Sequence, residues 1–88
     1  MTARCFGLYR GIVIDDQDPE HRMRLKVRVP AVLEEVATIW ALPCVPPGLE
    51  LMPKVGDVVW VEFEAGDPSR PVWIGTLYGK GMPQDPAW

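Results

Sequence analysis

The chain is 88 residues long, 48% hydrophobic and 24% charged, with a formal net charge of −3. This length allows one domain near the lower limit for independent folding. The acidic balance excludes a global positive field that would attract nucleic acid or an anionic membrane surface, and no stretch is long and apolar enough to span a bilayer. The N-terminal residues Met1–Gly7 hold no signal-peptide core. We therefore expect a soluble protein made in a cytoplasm.

The chain contains 10 prolines and 8 glycines, which favour short strands joined by turns over long helices. A strand is predicted over Phe6–Asp15, in which Gly11 is typical of a bulge or a sharp bend. After a polar turn, Arg24–Val29 alternates between outward basic and inward aliphatic residues. A single helical turn over 31–37 and a third strand over Thr38–Val45 complete this half of the chain.

The cysteines Cys5 and Cys44 are too few to indicate the disulfide framework of a secreted protein. Cys44 lies in the apolar run Trp40–Val45, so we expect it to be a small buried hydrophobe. A native disulfide is not expected.

The most informative stretch covers 53–79 and predicts a β-hairpin. Its first strand, Val58–Glu64, alternates in hydrophobicity. The segment 65–70 (AGDPSR) supplies glycine, aspartate and proline for the connecting turn. The return strand, Pro71–Tyr78, is rich in β-branched and aromatic residues, and its proline is placed at the strand start.

Pairing Glu64 with Pro71 fixes the expected register of this hairpin. Trp60 then lies opposite Gly75, with the indole covering the glycine. Both faces of the hairpin become largely apolar, which is more than one barrel core needs. The outer face carries Val58, Trp60, Trp73 and Leu77.

Five short strands with little helix predict an all-β fold, a small five-stranded OB-fold (Greek-key) barrel. An antiparallel sheet of this size has exposed edges, which closure into a barrel removes. An SH3-like barrel is the alternative, because the pattern alone does not fix the strand order. We assign residues 1–79 to the barrel and residues 80–88 to a short C-terminal tail.

The acidic residues at the end of the first predicted strand and after it suggest a calcium-binding loop. An EF-hand loop that starts at Asp16 needs glycine at its sixth position and glutamate at its twelfth. This chain has His21 and Val27 at those positions. We therefore expect a solvated turn and predict no metal site. The acidic residues concerned are Asp15, Asp16, Asp18 and Glu20.

The sequence offers few groups for catalysis. His21 is the only histidine and has no neighbours at metal-ligand spacing. Ser69 is the only serine and lacks the G-x-S-x-G context of a hydrolase nucleophile. We predict no catalytic residue, no cofactor and no small-molecule substrate, and we expect the protein not to be an enzyme.

A basic stripe is the one feature that suggests nucleic acid. OB barrels bind oligonucleotides on the face of their second and third strands. Such a face also needs exposed aromatic side chains, and the Arg24–Val29 strand has none. A charged solvent face that protects an edge strand is the favoured interpretation, and nucleic acid is not an expected partner. The stripe comprises Arg22, Arg24, Lys26 and Arg28.

Four segments follow one another at a characteristic spacing. They are Lys26–Pro30 (KVRVP), Trp40–Pro46 (WALPCVP), Val55–Phe63 (VGDVVWVEF) and Gly66–Pro71 (GDPSRP), which leads into Trp73-Ile74-Gly75. Together they resemble the OB-fold domain of phage baseplate spike proteins, and the resemblance covers Leu8–Gly79. This is the baseplate assembly protein V type of domain, shared with the VgrG spikes of type VI secretion and related contractile injection systems.

The resemblance implies a structural adaptor, a trimeric collar between the tail hub and the spike or needle. It implies other baseplate proteins as partners, a homo-trimer, and a place in the virion tail baseplate or an injection particle made in the host bacterial cytoplasm. Stable membrane insertion is not expected. The chain carries no glycine-rich β-helical repeat and no lysozyme domain, so needle and wall-degrading activity are expected in other chains.

The resemblance also gives the apolar outer face of the hairpin an explanation. A neighbouring protomer or another baseplate protein would cover it. In the alternative, Trp88 and the tail fold back over this face. A second functional hypothesis is a free-standing OB module that binds single-stranded nucleic acid or oligosaccharide through its Arg22–Arg28 face. The predicted protein interface comprises Val58, Trp60, Trp73, Leu77 and Trp88.

Overall fold

The computed structural model describes residues 4–33, 36–48 and 51–77. The boundary predicted at residue 79, the tail at 80–88 and Trp88 lie outside the described residues. The strands are β1 (Tyr9–Asp15), β2 (Lys26–Arg28), β3 (Leu42–Pro43), β4 (Val58–Phe63) and β5 (Pro71–Thr76), with a helical turn, α1 (Pro30–Leu33), and a 3-10 turn at Glu64–Gly66. The strands form one mixed sheet in the order β2-β1-β4-β5-β3.

The sheet curls into a partly closed barrel because the segment around β3 contacts both of its ends. β3 runs parallel to β5. Just before β3, Ala41 bridges Leu25 and Ala37 bridges Arg28, both antiparallel. All other strand pairs are antiparallel. This is the connectivity of a five-stranded Greek-key barrel, and the predicted all-β OB fold is confirmed.

The core consists of the inward-facing side chains of the strands. On β4, Val59, Val61 and Phe63 are buried, while the residues between them are half-buried or exposed. This alternation is what a half-buried strand requires. The remaining fully or nearly buried hydrophobic residues are Val13, Leu25, Val27, Val29, Ala41 and Trp73.

The register of the β4–β5 hairpin is only half as predicted. Val59 pairs with Thr76 and Trp60 with Gly75, as expected. Beyond that point the register shifts by one residue, because Ile74 forms a β-bulge, and Val61 pairs with Trp73. A bulge of this kind turns the following side chains to the opposite face. It therefore moves Trp73 from the outer face to the core.

Gly75 is not covered by the indole of Trp60, so that part of the prediction is wrong. A Cβ atom built on Gly75 has no heavy atom within 4 Å. The Trp60 ring instead lies beside its other cross-strand partner, Arg10, with the guanidinium carbon 5.6 Å from the ring centroid. The indole turns towards β1 and leaves the glycine open.

Gly11 was expected to mark a bulge or a sharp bend, but no bulge is found at this position. It pairs regularly with Val59, and the irregularity in β1 lies between Val13 and Asp15. A Cβ on Gly11 would lie 2.8 Å from Cγ2 of Val61 and 3.3 Å from Cβ of Val27. Glycine is needed here because two core side chains approach the backbone too closely for any larger residue.

The third strand is shorter than predicted, and Cys44 is exposed rather than buried. Side chains alternate along this segment, so the buried Ala41 is followed by the exposed Leu42. Cys44 falls on the same outward side as Leu42. Its backbone N–H still donates to the carbonyl of Trp73 at 2.9 Å. Both Cys5 and Cys44 are free thiols.

Candidate protein interface

The structure brings together three of the five residues predicted for the interface. Val58 and Trp60 lie on the outer face of β4 and are half-buried. Leu77 follows β5, and its N–H donates to the carbonyl of Val58 at 2.8 Å. Trp88 lies outside the described residues. Trp73 lies elsewhere, in the core of the barrel.

Placing Trp73 on the outer face was wrong, because the bulge at Ile74 turns its side chain inward. Its relative exposure is 1%. The indole Nε1–H donates to the backbone carbonyl of Met23 at 2.9 Å, which satisfies the one polar group that a buried tryptophan carries. Trp73 is therefore a structural residue of the barrel and not available to a partner.

Strand β1 supplies the neighbours of Val58 and Trp60 on the outer face. Ile12 pairs with Val58, and Arg10 pairs with Trp60. Ile12 is half-buried and Arg10 exposed. Their side chains lie beside those of β4, since residues directly opposite in an antiparallel pair are neighbours on one face. We call the surface formed by Arg10, Ile12, Val58, Trp60 and Leu77 the outer patch.

Sequence reasoning missed the β1 side of this surface and the apolar residues at its ends. Leu8 precedes β1 and is 55% exposed, and Ile14 near its other end is 42% exposed. The sequence FGLYRGIVID does indicate this surface, since Leu8, Arg10 and Ile12 are alternate residues and lie on the same face of a strand. The hairpin pattern covers only β4 and β5, whereas the sheet places β1 beside β4. The outer patch is consequently broader than predicted.

Phe6 is the most exposed aromatic residue described, at 76%. Its ring covers Gly66, where a built Cβ would lie 2.6 Å from Cε1 of Phe6. Gly66 also has φ +74°, a left-handed conformation that favours glycine. The N–H of Cys5 donates to the carbonyl of Gly66 at 2.7 Å. The segment before β1 is thereby fixed against the β4–β5 loop.

The loop between β1 and β2 is organised by a buried ion pair and not by solvated charges. Asp18 is 7% exposed. Its two carboxylate oxygens accept bonds from Nη2 of Arg24 at 2.8 Å and from Nε at 2.9 Å. They also accept backbone N–H bonds from Glu20, Arg22 and Arg24. These donors, above all the guanidinium, hold the pKa of Asp18 well below its ordinary value.

The basic stripe is partly neutralised by this arrangement. Arg24 is committed to Asp18, and Arg22 lies 3.5 Å from a carboxylate oxygen of Glu20. Lys26 does face an aromatic ring, but the ring comes from Trp40 rather than from its own strand. The Lys26 ammonium lies 5.0 Å and the Arg24 guanidinium 5.7 Å from the Trp40 centroid. The indole is therefore engaged by cations within the chain.

Ser69 stabilises the turn between β4 and β5. The hydroxyl of Ser69 donates to Asp67 at 2.8 Å, and its backbone N–H donates to the same oxygen at 2.9 Å. These two bonds lower the pKa of Asp67.

Within residues 4–33, 36–48 and 51–77, no three His, Cys, Asp or Glu side chains are grouped closely enough to hold a metal ion. In the same ranges, no helix has the length and apolar character needed to cross a membrane.

Residues 9–78 match the family model described as the type VI secretion system/phage-baseplate injector OB domain. The match spans every strand of the barrel. No curated protein matches the chain.

Proposed function

The chain belongs to the family of type VI secretion system and phage-baseplate injector OB domains, and from this we propose that it is a structural adaptor of a phage tail baseplate or a related contractile injection system. In this proposal the barrel is a collar that links the tail hub to the spike or needle. The protein is made in the cytoplasm of the host bacterium and assembled into the virion tail or injection particle.

The observation that carries the proposal is the outer patch. Ile12, Val58, Trp60 and Leu77 are apolar and lie side by side on two strands and the end of a third. Contiguous apolar surfaces of this kind on small proteins usually mark contacts with other proteins. Tryptophan and arginine are the residue types most often found at the energetic centre of such contacts, and here Arg10 lies beside Trp60.

A homo-trimer is the assembly we propose for the collar. Three-fold rings are closed by head-to-tail contacts, in which each protomer presents one surface and receives a different one. The outer patch would be the presented surface. The groove that runs past Gly75 is lined by apolar residues, among them Val45, Leu51 and Ile74. It offers a concave surface with room beside the glycine.

We also propose that the chain is not an enzyme. Among the residues described, the only serine is bound to Asp67 in its turn. His21 is exposed in the β1–β2 loop with a left-handed backbone. The pKa of Asp67 is lowered, so this carboxylate is a weak base for activating the Ser69 hydroxyl as a nucleophile.

The test compares Trp60→Glu with Val55→Glu. Trp60 belongs to the outer patch, whereas Val55 is 60% exposed and lies outside it. Both changes add one negative charge to an apolar surface position. Circular dichroism should show that both variants are folded. Light scattering of the protein with the hub and spike proteins of its particle should show that only Trp60→Glu fails to assemble.

Two results would contradict different parts of the proposal. The first is a wild-type chain that stays monomeric with its hub and spike partners and is absent from purified tails. The second is a folded Trp60→Glu variant that enters tails as efficiently as Val55→Glu. The second result alone would reject the outer patch as the interface and leave the adaptor role in place.

A further inference from the structure

The groove that runs past Gly75 lies beside the end of strand β5. It has a volume of about 290 Å³. Its lining residues come from two parts of the chain, the end of β5 and the connection between β3 and β4. We call it the Gly75 groove, and the part of its lining that comes from the connection is Val45, Pro46, Leu51 and Pro53.

The edge of β5 beside the Gly75 groove has no backbone partner at residues 74–76 in the described part of the chain. β3 pairs with β5 only as far as Trp73, and the last bond on this side runs from the N–H of Cys44 to the carbonyl of Trp73. Successive N–H groups of a strand point to opposite sides. Since the N–H of Leu77 donates to a carbonyl of β4, the N–H of Thr76 points away from β4, to the open edge.

An open sheet edge beside an apolar groove is the arrangement used for strand addition. The backbone of an extended segment bonds to the edge, and alternate side chains enter the groove. The lining of the groove does not supply the missing strand, because Pro46 and Pro53 have no N–H to donate. Leu51, at 86%, is the most exposed large hydrophobic residue described. Both the edge and the groove therefore call for a cover.

The segment that follows β5 in this chain has the features that the site requires. Residues 78–88 (YGKGMPQDPAW) lie outside the described residues and come directly after Leu77. Gly79 and Gly81 flank Lys80, and three-residue loops that contain glycine reverse the chain in hairpins. A segment tethered this close to its site acts at an effective concentration of about millimolar. It therefore has an advantage over any free peptide of the same chemistry.

The two prolines of this segment fit an added edge strand. A three-residue loop over 79–81 places Gln84 opposite Thr76, where each backbone can donate to and accept from the other. Pro83 then falls at a position whose nitrogen faces away from β5. Pro86 falls where an N–H would be needed and so ends the pairing. Proline within sheets is confined to such outward or terminal positions.

We infer that residues 82–88 add a strand to the open edge of β5 in the same chain, with the indole of Trp88 in the Gly75 groove. Burial of a tryptophan removes about 150–250 Å² from water, and here it also covers Leu51. The segment thus occupies the groove and not the outer patch, which was expected for a folded-back tail. The inference does not depend on the proposed trimer. A neighbouring protomer that uses the same groove has to displace the segment.

The test is hydrogen exchange of the backbone amides of the full chain, followed by NMR. The Thr76 amide should be protected, because Gln84 accepts its hydrogen bond. Trp88→Ala and Gln84→Pro should each speed its exchange about tenfold or more, since both weaken the local pairing. Lys80→Ala is the matched control in the turn of the same segment and should exchange like wild type. The Leu51 methyl signals should shift in Trp88→Ala, because the ring current of the indole is lost.

Three outcomes would overturn the inference. One is a wild-type Thr76 amide that exchanges at the rate of an unprotected amide. Another is a shift of the Val58 methyl signals in place of those of Leu51 in Trp88→Ala, which would put the segment on the outer patch. The third uses isotope-labelled Trp88→Ala mixed with an excess of unlabelled wild type. If mixing restores the protection of Thr76, the segment in the groove belongs to a second copy of the chain.

Discussion

The indole Nε1–H of Trp73 donates to the backbone carbonyl of Met23 at 2.9 Å, joining residues 50 positions apart. Met23 has φ +62°, in the left-handed region, and lies in the β1–β2 loop. The bond therefore ties the return strand of the hairpin to the irregular β1–β2 loop. It also makes the buried position of Trp73 specific for tryptophan, since phenylalanine has no donor.

Trp73→Phe should lower the free energy of unfolding by about 1–3 kcal/mol, because it leaves the Met23 carbonyl without its donor and opens a small cavity. Trp60→Phe is the matched control, since Trp60 is half-buried on the outer face and should lose less. Urea titration followed by circular dichroism measures both. Equal losses in the two variants would contradict the buried hydrogen bond.

The hairpin register was predicted correctly as far as the pair Trp60–Gly75, but the side on which Trp73 lies was not. Pairing at Trp60 and Gly75 followed correctly from turn position and alternation. The bulge at Ile74 did not, because residues of both parities in PVWIGT are apolar or small. Hydrophobic alternation then gives no preference for one face. The acceptor of the Trp73 indole N–H, the Met23 carbonyl, lies in the β1–β2 loop, so it could not be identified from the hairpin sequence.

The outer patch and the Asp18 ion pair were only partly predictable for a related reason. Val58 and Trp60 were identified from their own strand, but their neighbours on β1 depend on strand order, which alternation does not encode. The DQDPEHR segment is polar throughout, so its composition indicates a solvated turn. Asp18 is buried because His21 and Met23 adopt left-handed conformations that wrap the loop around its carboxylate.

Gly75 and Gly11 should respond in opposite ways to the same change. A Cβ on Gly75 meets nothing within 4 Å, so Gly75→Ala should be neutral or stabilise by about 0.5–1 kcal/mol through a less flexible unfolded chain. A Cβ on Gly11 would lie 2.8 Å from Val61, so Gly11→Ala should destabilise by about 1–3 kcal/mol. Thermal melts of both variants against wild type test the pair. Destabilisation by Gly75→Ala would show that the indole of Trp60 does cover the glycine.

The two free thiols should differ in reactivity. Cys44 is exposed on the outer side of the β3 segment, whereas Cys5 is half-buried and packs against the core. A thiol reagent such as a maleimide needs access to the sulfur. One thiol of the native protein should therefore react rapidly, and Cys44→Ser should abolish this rapid reaction. If Cys5→Ser abolishes the rapid reaction instead, Cys44 does not point outward, and the sides to which the residues after Ala41 point have been assigned the wrong way round.

Asp18 should make the stability of the barrel sensitive to acid. Its pKa is lowered in the folded protein from an ordinary value of 3.8, mainly by the Arg24 guanidinium. A group with a lowered folded pKa stabilises the fold fully above its unfolded pKa, and this stabilisation is lost as the pH falls below that value towards the folded pKa. The free energy of unfolding should therefore decrease as the pH is lowered from about 5 to about 3.

Two asparagine variants separate the contributions to this acid sensitivity. Asp18→Asn removes the charge that binds Arg24, so it should be less stable than wild type at neutral pH and lose less stability on acidification. Asp67 also has a lowered pKa, through its bonds from Ser69, and Asp67→Asn should remove only that smaller, surface contribution. Urea titrations at several pH values, followed by tryptophan fluorescence, measure each slope. If Asp18→Asn keeps the wild-type pH dependence, the ion pair with Arg24 is not what holds the β1–β2 loop, and the backbone bonds to residues 20, 22 and 24 suffice without the charge.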